Sequence, residues 1–190
     1  METAELLQRC RSGDSLAWEA LVRRYQARVY GLALSYVRNP EEARDVAQEI
    51  FVRIYRKLSS FNDQENFLPW LLRVGRNACI DHLRRMKARG SNVNSPIEED
   101  MEWPAPGQSP EAEASSGECR QLVYAALQRL SETNREMIIL KEIQGLKLEE
   151  IASLLALPLG TVKSRSNRAR TELARAVLAL DPAAGTTYGA

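Results

Sequence analysis

Residues 145–170 read GLKLEEIASLLALPLGTVKSRSNRAR, and this stretch decides the fold of the C-terminal part of the chain. The first half places apolar residues at helical spacing, namely Ile151, Ala152, Leu154 and Leu155. Glu149 and Glu150 lie in the first turn, where the helix dipole favours negative charge. The apolar pattern then stops, and Pro158 suits the first position of a new helix. The stretch therefore predicts two helices joined by a tight turn.

The second of these helices has two faces of different character. One side is predicted to face the core and carries Val162, Ser166, Ala169 and Leu173. The other side carries Lys163, Ser164, Asn167, Arg168 and Thr171, with Arg165 and Arg170 at its edges. Cationic side chains bind phosphates and an amide can read a base edge, so the pattern indicates a DNA-binding helix-turn-helix. The simpler alternative is a cationic face that is only solvated.

The N-terminal part of the chain predicts two further helices. Apolar residues recur at helical spacing over 16–37. The next helix begins sharply, because Asn39 can cap it, Pro40 fits its first position and Glu42 completes a capping box. The inner stripe of that helix is predicted to be Ala43, Val46, Ala47, Ile50, Ile54 and Leu58. Its outer face is polar, which a solvated surface also explains, and carries Glu41, Asp45, Gln48, Glu49, Arg53 and Arg56.

A turn-rich loop at 60–67 separates these helices from a third, which is predicted to begin near Pro69. Its apolar side comprises Leu71, Leu72, Gly75, Ala78, Cys79 and Leu83. Its polar residues cannot all be buried, because unpaired buried charge is very costly; they are Arg73, Arg76, Asn77, Arg84, Arg85 and Lys87. A basic helix that follows a loop with two aromatics is an arrangement for holding single-stranded DNA. Trp70 is assigned to the core, because large aromatics dominate core burial.

Residues 88–117 lack apolar periodicity and predict a flexible acidic linker. Its carboxylates either contact a partner or only keep the linker soluble. The expected fold is all-α, with two small helical domains over 1–87 and 118–180, the second containing the helix-turn-helix. Residues 181–190 are expected to form a disordered tail.

Composition narrows the class of protein. The net charge of +1 over 190 residues hides basic, acidic and basic blocks that follow one another along the chain. No run approaches the roughly 18 apolar residues of a membrane span, and no signal peptide is visible. Cys10, Cys79 and Cys119 are widely spaced, which favours free thiols in a reducing cytoplasm. The sequence contains no constellation of catalytic, metal-ligating or cofactor-binding residues. We therefore expect a protein that is not an enzyme and that binds no metal ion and no cofactor.

Two motif regions resemble one family. The run GTVKSR at 160–165, followed by RAR at 168–170, resembles the promoter-reading helix of bacterial RNA polymerase sigma factors of the extracytoplasmic-function group, in the sigma-70 family. The run NPEEARDVAQEIFVRIYRKL at 39–58 is similar to the helix with which these factors grip the polymerase. The 60–89 segment resembles the element that melts and captures the −10 promoter box.

The resemblance implies a cytoplasmic sigma factor that binds core RNA polymerase and directs initiation by reading the −35 and −10 elements. It implies contacts to the coiled coil of the largest polymerase subunit and to the flap, to promoter DNA and to an anti-sigma factor, with no membrane insertion. The polymerase-binding residues it implies are Asp45, Gln48, Glu49 and Arg53. Those for the −10 element are Phe61, Asn62, Arg73, Arg76, Asn77, Arg84 and Arg85. Those for the −35 element are Thr161, Lys163, Ser164, Arg165, Asn167 and Arg168.

Three residues depart from the family pattern. Lys147 stands where a capping Ser or Thr is usual, Ser166 replaces an inward apolar residue, and Asn167 stands where an aromatic or histidine is common. The alternatives are a helix-turn-helix regulator that binds duplex DNA without polymerase, and a helical adaptor that binds only proteins. Neither alternative explains both the polar outer face of the 39–58 helix and the two basic helices.

Overall fold

A computed structural model describes residues 2–90 and 121–182. The chain divides into two compact units, Met1–Pro104 and Ala105–Ala190. Every regular element of the described residues is helical, so the predicted all-α class is confirmed. The linker from residue 91, the start of the second domain and the tail from residue 183 lie outside the described ranges. The predicted domain boundaries therefore stay predictions.

The described part of the N-terminal unit contains α1 (Thr3–Arg11), α2 (Ser15–Val37), α3 (Pro40–Lys57) and α4 (Phe67–Ala88). Helix α2 packs against α1, α3 and α4, and α3 packs against α4. The sequence analysis did not predict α1, which buries Leu6, Leu7 and Cys10. Helix α4 begins two residues before the predicted Pro69, because the Asn66 side chain accepts a hydrogen bond from the Leu68 amide (3.4 Å).

The predicted start of α3 is confirmed at its cap. The Asn39 side chain accepts hydrogen bonds from the amides of Glu41 (2.9 Å) and Glu42 (3.0 Å), and Pro40 is the first helical residue. All six residues of the predicted inner stripe are buried. The outer face of α3 is therefore fixed in direction, because its opposite side is fully packed.

The C-terminal unit contains a helix over 121–129, which we call α5, then α6 (Glu132–Ile138), α7 (Leu148–Leu155) and α8 (Leu159–Leu180). A π-helical turn, Ile139–Ile143, continues α6, and Gly145 follows two residues later with a φ of +73°, which suits glycine. Helix α8 packs against α6 and α7. Pro158 precedes α8 instead of opening it, because Ala156 turns the chain with a φ of +53° and Leu159 is the first helical residue.

A buried cation holds the end of α5. Arg135 is 5% exposed, and its guanidinium donates to the carbonyls of Leu127 (2.9 Å) and Leu130 (2.8 Å). The last carbonyls of a helix have no partner within the helix, so Arg135 satisfies groups that would otherwise be buried unpaired. Asn134 donates to the Glu172 carboxylate and so joins α6 to α8. None of the described helices is long and apolar enough to cross a membrane.

We expect Gly75→Ala to destabilise the N-terminal unit by about 1–3 kcal/mol, because overpacking displaces neighbouring side chains. A Cβ on Gly75 would lie 2.8 Å from Leu32 Cδ2 and 3.6 Å from the nearest atoms of Ile50. Urea unfolding followed by tryptophan fluorescence measures the change, since all three tryptophans of the chain fall within Met1–Pro104. The cost should shrink in a Leu32→Val background, which lacks the clashing δ carbon. Equal costs in both backgrounds would contradict the steric explanation.

Candidate functional site

The outer face of α8 is exposed as predicted. Lys163, Ser164, Asn167 and Arg168 are exposed, while Thr161 and Arg165 are half-buried at the edges. On the inner side Val162, Ser166 and Ala169 are buried, and Leu173 is half-buried. Among the described residues, no ion pair or side-chain hydrogen bond engages Lys163, Arg165 or Arg168, or the Asn167 amide. These donors remain available for phosphates and base edges.

The three departures from the family pattern are accommodated locally. Lys147 cannot accept a hydrogen bond from the helix, but the Glu150 carboxylate accepts one from the Lys147 amide (2.8 Å), which is half of a capping box. Ser166 is buried, and its hydroxyl oxygen lies 3.5 Å from Arg170 Nη2. Arg170 in turn lies 3.3 Å from Glu142. The third departure, Asn167, places an amide on the exposed face, where it can read a base.

The polar residues of α3 divide into two groups. Asp45 and Gln48 are exposed. Glu49 and Arg53 are half-buried and bond to each other, with Glu49 Oε1 accepting from Arg53 Nη2 at 2.6 Å. The four residues assigned to polymerase binding therefore share a face but differ in how freely they can meet a partner.

Glu49 and Arg53 belong to an ion-pair network that joins α3 to α4. Glu49 Oε2 accepts from Arg85 Nη2 (2.7 Å), and Arg53 Nη1 donates to Asp81 Oδ2 (2.6 Å). Burial raises the pKa of Glu49, but hydrogen bonds from Arg85 and Arg53 outweigh it and leave that pKa below its usual value. The hydrogen bond from Arg53 lowers the pKa of Asp81. All four groups are therefore charged near neutral pH.

An apolar groove of about 420 Å³ lies beside the exposed face of α3. Its lining includes Trp18, Phe51, Val52 and Tyr55, and both Val52 and Tyr55 are exposed although they are large and apolar. This groove was not predicted from the sequence. Exposed Val and Tyr beside a charged stripe were a usable signal, because contiguous exposed apolar side chains are typical of interaction sites.

The basic face of α4 is only partly free. Asn77 and Arg84 are exposed and form no hydrogen bond or ion pair with the described residues, whereas Arg73 and Arg76 are half-buried. Helical periodicity places Arg73, Asn77 and Arg84 on one side of α4. Arg85 forms an ion pair with Glu49, so its guanidinium, unlike that of Arg84, is already engaged within the protein.

The 60–67 loop is anchored by buried aromatics at both ends. Phe61 and Phe67 are buried, with ring centroids 5.4 Å apart, and Trp70 packs on both rings at 5.0 and 5.6 Å. Phe61 was predicted to contact DNA, but its buried ring has no face to offer a base, so it supports the loop instead. Between these rings, residues 62–66 are exposed.

Arg11 is a residue at this loop that the sequence analysis missed. It ends α1 and bonds to Phe61 and Asp63 of the loop and to Leu58 just before it. No local signal could have identified it, because its partners are 47 to 52 residues away in sequence.

The cysteines and possible metal ligands provide no further site. Cys10 and Cys79 are free and buried, and burial raises the pKa of the Cys79 thiol to about 12. Cys119 lies outside the described residues. Within residues 2–90 and 121–182, no group of His, Cys, Asp and Glu side chains could hold a metal ion.

Comparison with known families gives two matches along the chain. The model of Sigma-70 region 2 matches residues 21–89, and that of Sigma-70, region 4 matches residues 120–173. The RNA polymerase sigma-H factor of Pseudomonas aeruginosa is 35% identical over 178 residues, which cover 91% of this chain and 92% of that protein. The ECF RNA polymerase sigma-E factor of Escherichia coli K12 is 36% identical over 170 residues, or 87% and 88% of the two chains.

Two solved structures resemble the chain. The sigma factor RpoE of Bartonella quintana, crystallised with the anti-sigma factor NepR, has a TM-score of 0.67 at 26% identity and covers 86% of this chain and 97% of its own. CnrH, solved in complex with the cytosolic domain of CnrY, has a TM-score of 0.66 at 26% identity, with coverages of 94% and 97%.

We expect the network between α3 and α4 to make the stability of the N-terminal unit depend on pH. Glu49 and Asp81 have lowered pKa values when folded, so they stabilise the fold above their unfolded values, about 4.3 and 3.9. That stabilisation is lost as the pH falls through these values and then through the lower folded ones. The free energy of unfolding should therefore decline less between pH 6 and pH 3 in Asp81→Asn than in the wild type.

Asp45→Asn is the matched control, because Asp45 is exposed and forms no ion pair within the described ranges. Its pH dependence should follow that of the wild type. If Asp81→Asn also followed the wild type, the network would contribute nothing measurable to stability.

Proposed function

Because the chain belongs to the extracytoplasmic-function group of the sigma-70 family, we propose that three of its surfaces divide the work of promoter recognition. The protein binds core RNA polymerase and directs it to promoters. In this proposal it acts in the cytoplasm and carries out no chemistry itself. The observation that carries the proposal is the exposed face of α8, whose other side is buried: Lys163, Arg168 and the Asn167 amide form no ion pair or side-chain hydrogen bond with any residue that the structure describes.

The −35 element is read by α8. Asn167 is the base reader, because an amide can bond bidentately to adenine in the major groove. Arg168 reads a guanine or holds a phosphate, and Lys163 and Arg165 hold phosphates. Thr161 and Ser164 lie beside them at the start of the helix. The phosphate contacts set the register, and the base contact supplies sequence preference.

The −10 element is held by the 60–67 loop and the basic face of α4. Asn62 and the exposed residues after it receive a base that has left the stack, and Asn77 completes the pocket. Arg84, with Arg73 and Arg76, follows the single-stranded backbone, as cationic grooves do in other single-strand binders. Phe61 supports the loop from below.

Core polymerase is bound through α3. Asp45 and Gln48 are free to meet the coiled coil of the largest subunit, and the C-terminal domain meets the flap. Val52 and Tyr55 lie along the same helix beside the apolar groove, so they supply apolar contact area next to the charges. Charged contacts of this kind set specificity and association rate more than raw affinity.

Control by an anti-sigma factor is part of the proposal. RpoE was solved with an anti-sigma factor and CnrH with the cytosolic domain of CnrY, and both share their fold with this chain. A protein that covers the polymerase-binding face of α3 would keep the factor inactive. A polymerase-independent regulator would leave that face without a partner.

Run-off transcription with core RNA polymerase on a genomic library tests the function directly. The full chain should produce discrete transcripts whose upstream sequences share two elements, and core enzyme alone should not. Transcripts that are independent of the added chain would contradict the assignment.

We expect Asp45→Lys to abolish co-purification with core polymerase and to leave the unfolding free energy within about 0.5 kcal/mol of the wild type, as surface changes usually do. Glu19→Lys is the matched control, because it makes the same charge change at an exposed site on α2. It should bind normally. Glu49 is unsuitable for this test, since reversing its charge also breaks the pairs to Arg53 and Arg85. Normal polymerase binding by folded Asp45→Lys would remove Asp45 from the interface.

We expect Asn167→Ala to relax sequence preference at one or two base pairs of the −35 element, because a bidentate amide contact contributes about 1–3 kcal/mol of discrimination. Arg165→Ala should instead weaken all sequences alike and reduce the dependence of affinity on salt. Binding of both variants to a randomised −35 library, measured at several salt concentrations, separates the two roles. A uniform loss in both variants would show that Asn167 is not a base reader.

A further inference from the structure

We propose that Arg11 is a positioning residue for promoter melting. Its guanidinium holds the 60–67 loop in the shape that receives the unstacked base. The inference rests on the proposed role of that loop and adds α1, a helix with no assigned part in DNA binding, to the melting machinery.

The contacts of Arg11 use every nitrogen of its guanidinium. Nε donates to the carbonyl of Leu58 (3.0 Å), Nη2 donates to the carbonyl of Phe61 (2.7 Å), and Nη1 donates to Asp63 Oδ2 (2.6 Å). The guanidinium carbon also lies 5.9 Å from the centroid of the Phe61 ring. One rigid, planar group therefore fixes three points of the chain, from the end of α3 into the loop.

Helix α1 is well suited to present this group. Leu6, Leu7 and Cys10 bury its other side, so the last turn of α1 cannot move away without exposing apolar surface. Arg9 lies two residues before Arg11, and its guanidinium pairs with Asp14 at 2.7 Å. The two arginines are thus close in sequence and chemically identical but have different partners.

Fixing the loop lowers the cost of base capture. Residues 62–66 are exposed, and the hydrogen bonds that shape this turn are local: Asn62 Oδ1 accepts from the Gln64 amide (3.1 Å) and the Asn62 carbonyl accepts from the Glu65 amide (2.9 Å). Each residue that must be ordered on binding costs about 1–2 kcal/mol of backbone entropy. Because Arg11 already holds the loop at Phe61 and Asp63, part of this backbone entropy is lost on folding and is not lost again when DNA binds.

Arg11 also changes the charge that the loop presents. Asp63 and Glu65 are both exposed there, and carboxylates repel DNA phosphate. The ion pair with Arg11 neutralises Asp63. The Arg11 side chain is 25% exposed, and each of its three nitrogens already donates a hydrogen bond within the protein, so Arg11 acts through the loop and does not itself hold DNA.

The test compares Arg11→Ala with Arg9→Ala in polymerase holoenzyme. Open-complex formation is followed by permanganate footprinting on a duplex promoter and on a fork that is already melted. We expect Arg11→Ala to slow opening of the duplex roughly tenfold or more, as displaced binding groups do, and to change fork binding by less than about twofold. Arg9→Ala should match the wild type on both templates.

Two further variants and one further readout separate positioning from a loss of stability. Arg11→Lys keeps the charge, but its donors all lie on one nitrogen and do not reproduce the planar fork whose three nitrogens reach Leu58, Phe61 and Asp63, so it should resemble Arg11→Ala. Asp63→Asn removes a single contact and should show a smaller defect in the same direction. Arg11→Ala should also lose preference for the natural base at the captured position, which lowered stability alone would not alter.

Equal defects on duplex and fork, or an unchanged base preference, would overturn the inference. A reduced dependence of fork binding on salt would also overturn it, because Arg11 would then hold a phosphate directly. Failure of wild-type holoenzyme to open any promoter would instead contradict the proposed function, so the two failures are distinguishable.

Discussion

Burial of one face on each of α3, α4 and α8 is the constraint on which both units depend. A helix can aim polar side chains in a fixed direction only if its apolar side cannot rotate out of the core. Val162 and Ile50 are fully buried under α8 and α3, and Gly75 admits the Leu32 side chain beneath α4. The packing of the buried side of each helix therefore sets the direction in which its outward residues point.

Much of this arrangement was predictable because it is local. Helical spacing identified the buried stripe of α3 and both faces of α8, and Asn39 marked a helix start that its cap confirms. The features that were missed are set by distant residues. The burial of Phe61 depends on Trp70, the pairing of Glu49 depends on α4, and Arg11 acts on a loop about fifty residues away. Spacing along one helix carries no information about such partners.

Departures from a family pattern need not weaken a fold when neighbouring groups meet the same physical need. The helix dipole and the free amides at the start of α7 require an acceptor, and Glu150 supplies one although Lys147 cannot. The hydroxyl of Ser166 lies within reach of Arg170 on its own helix. A missing consensus residue is therefore better judged by the atoms around it than by its identity.

The shared carboxylate of Glu49 has a thermodynamic consequence. One oxygen bonds Arg53 on α3 and the other bonds Arg85 on α4. Any ligand that draws Glu49 away leaves Arg85 without its counter-charge and so raises its attraction for phosphate. Linkage is reciprocal, so phosphate bound at Arg85 would free Glu49 by the same factor. In the proposed function, in which α3 meets the polymerase and α4 meets DNA, these two binding equilibria would be coupled through a single side chain, without any change of fold.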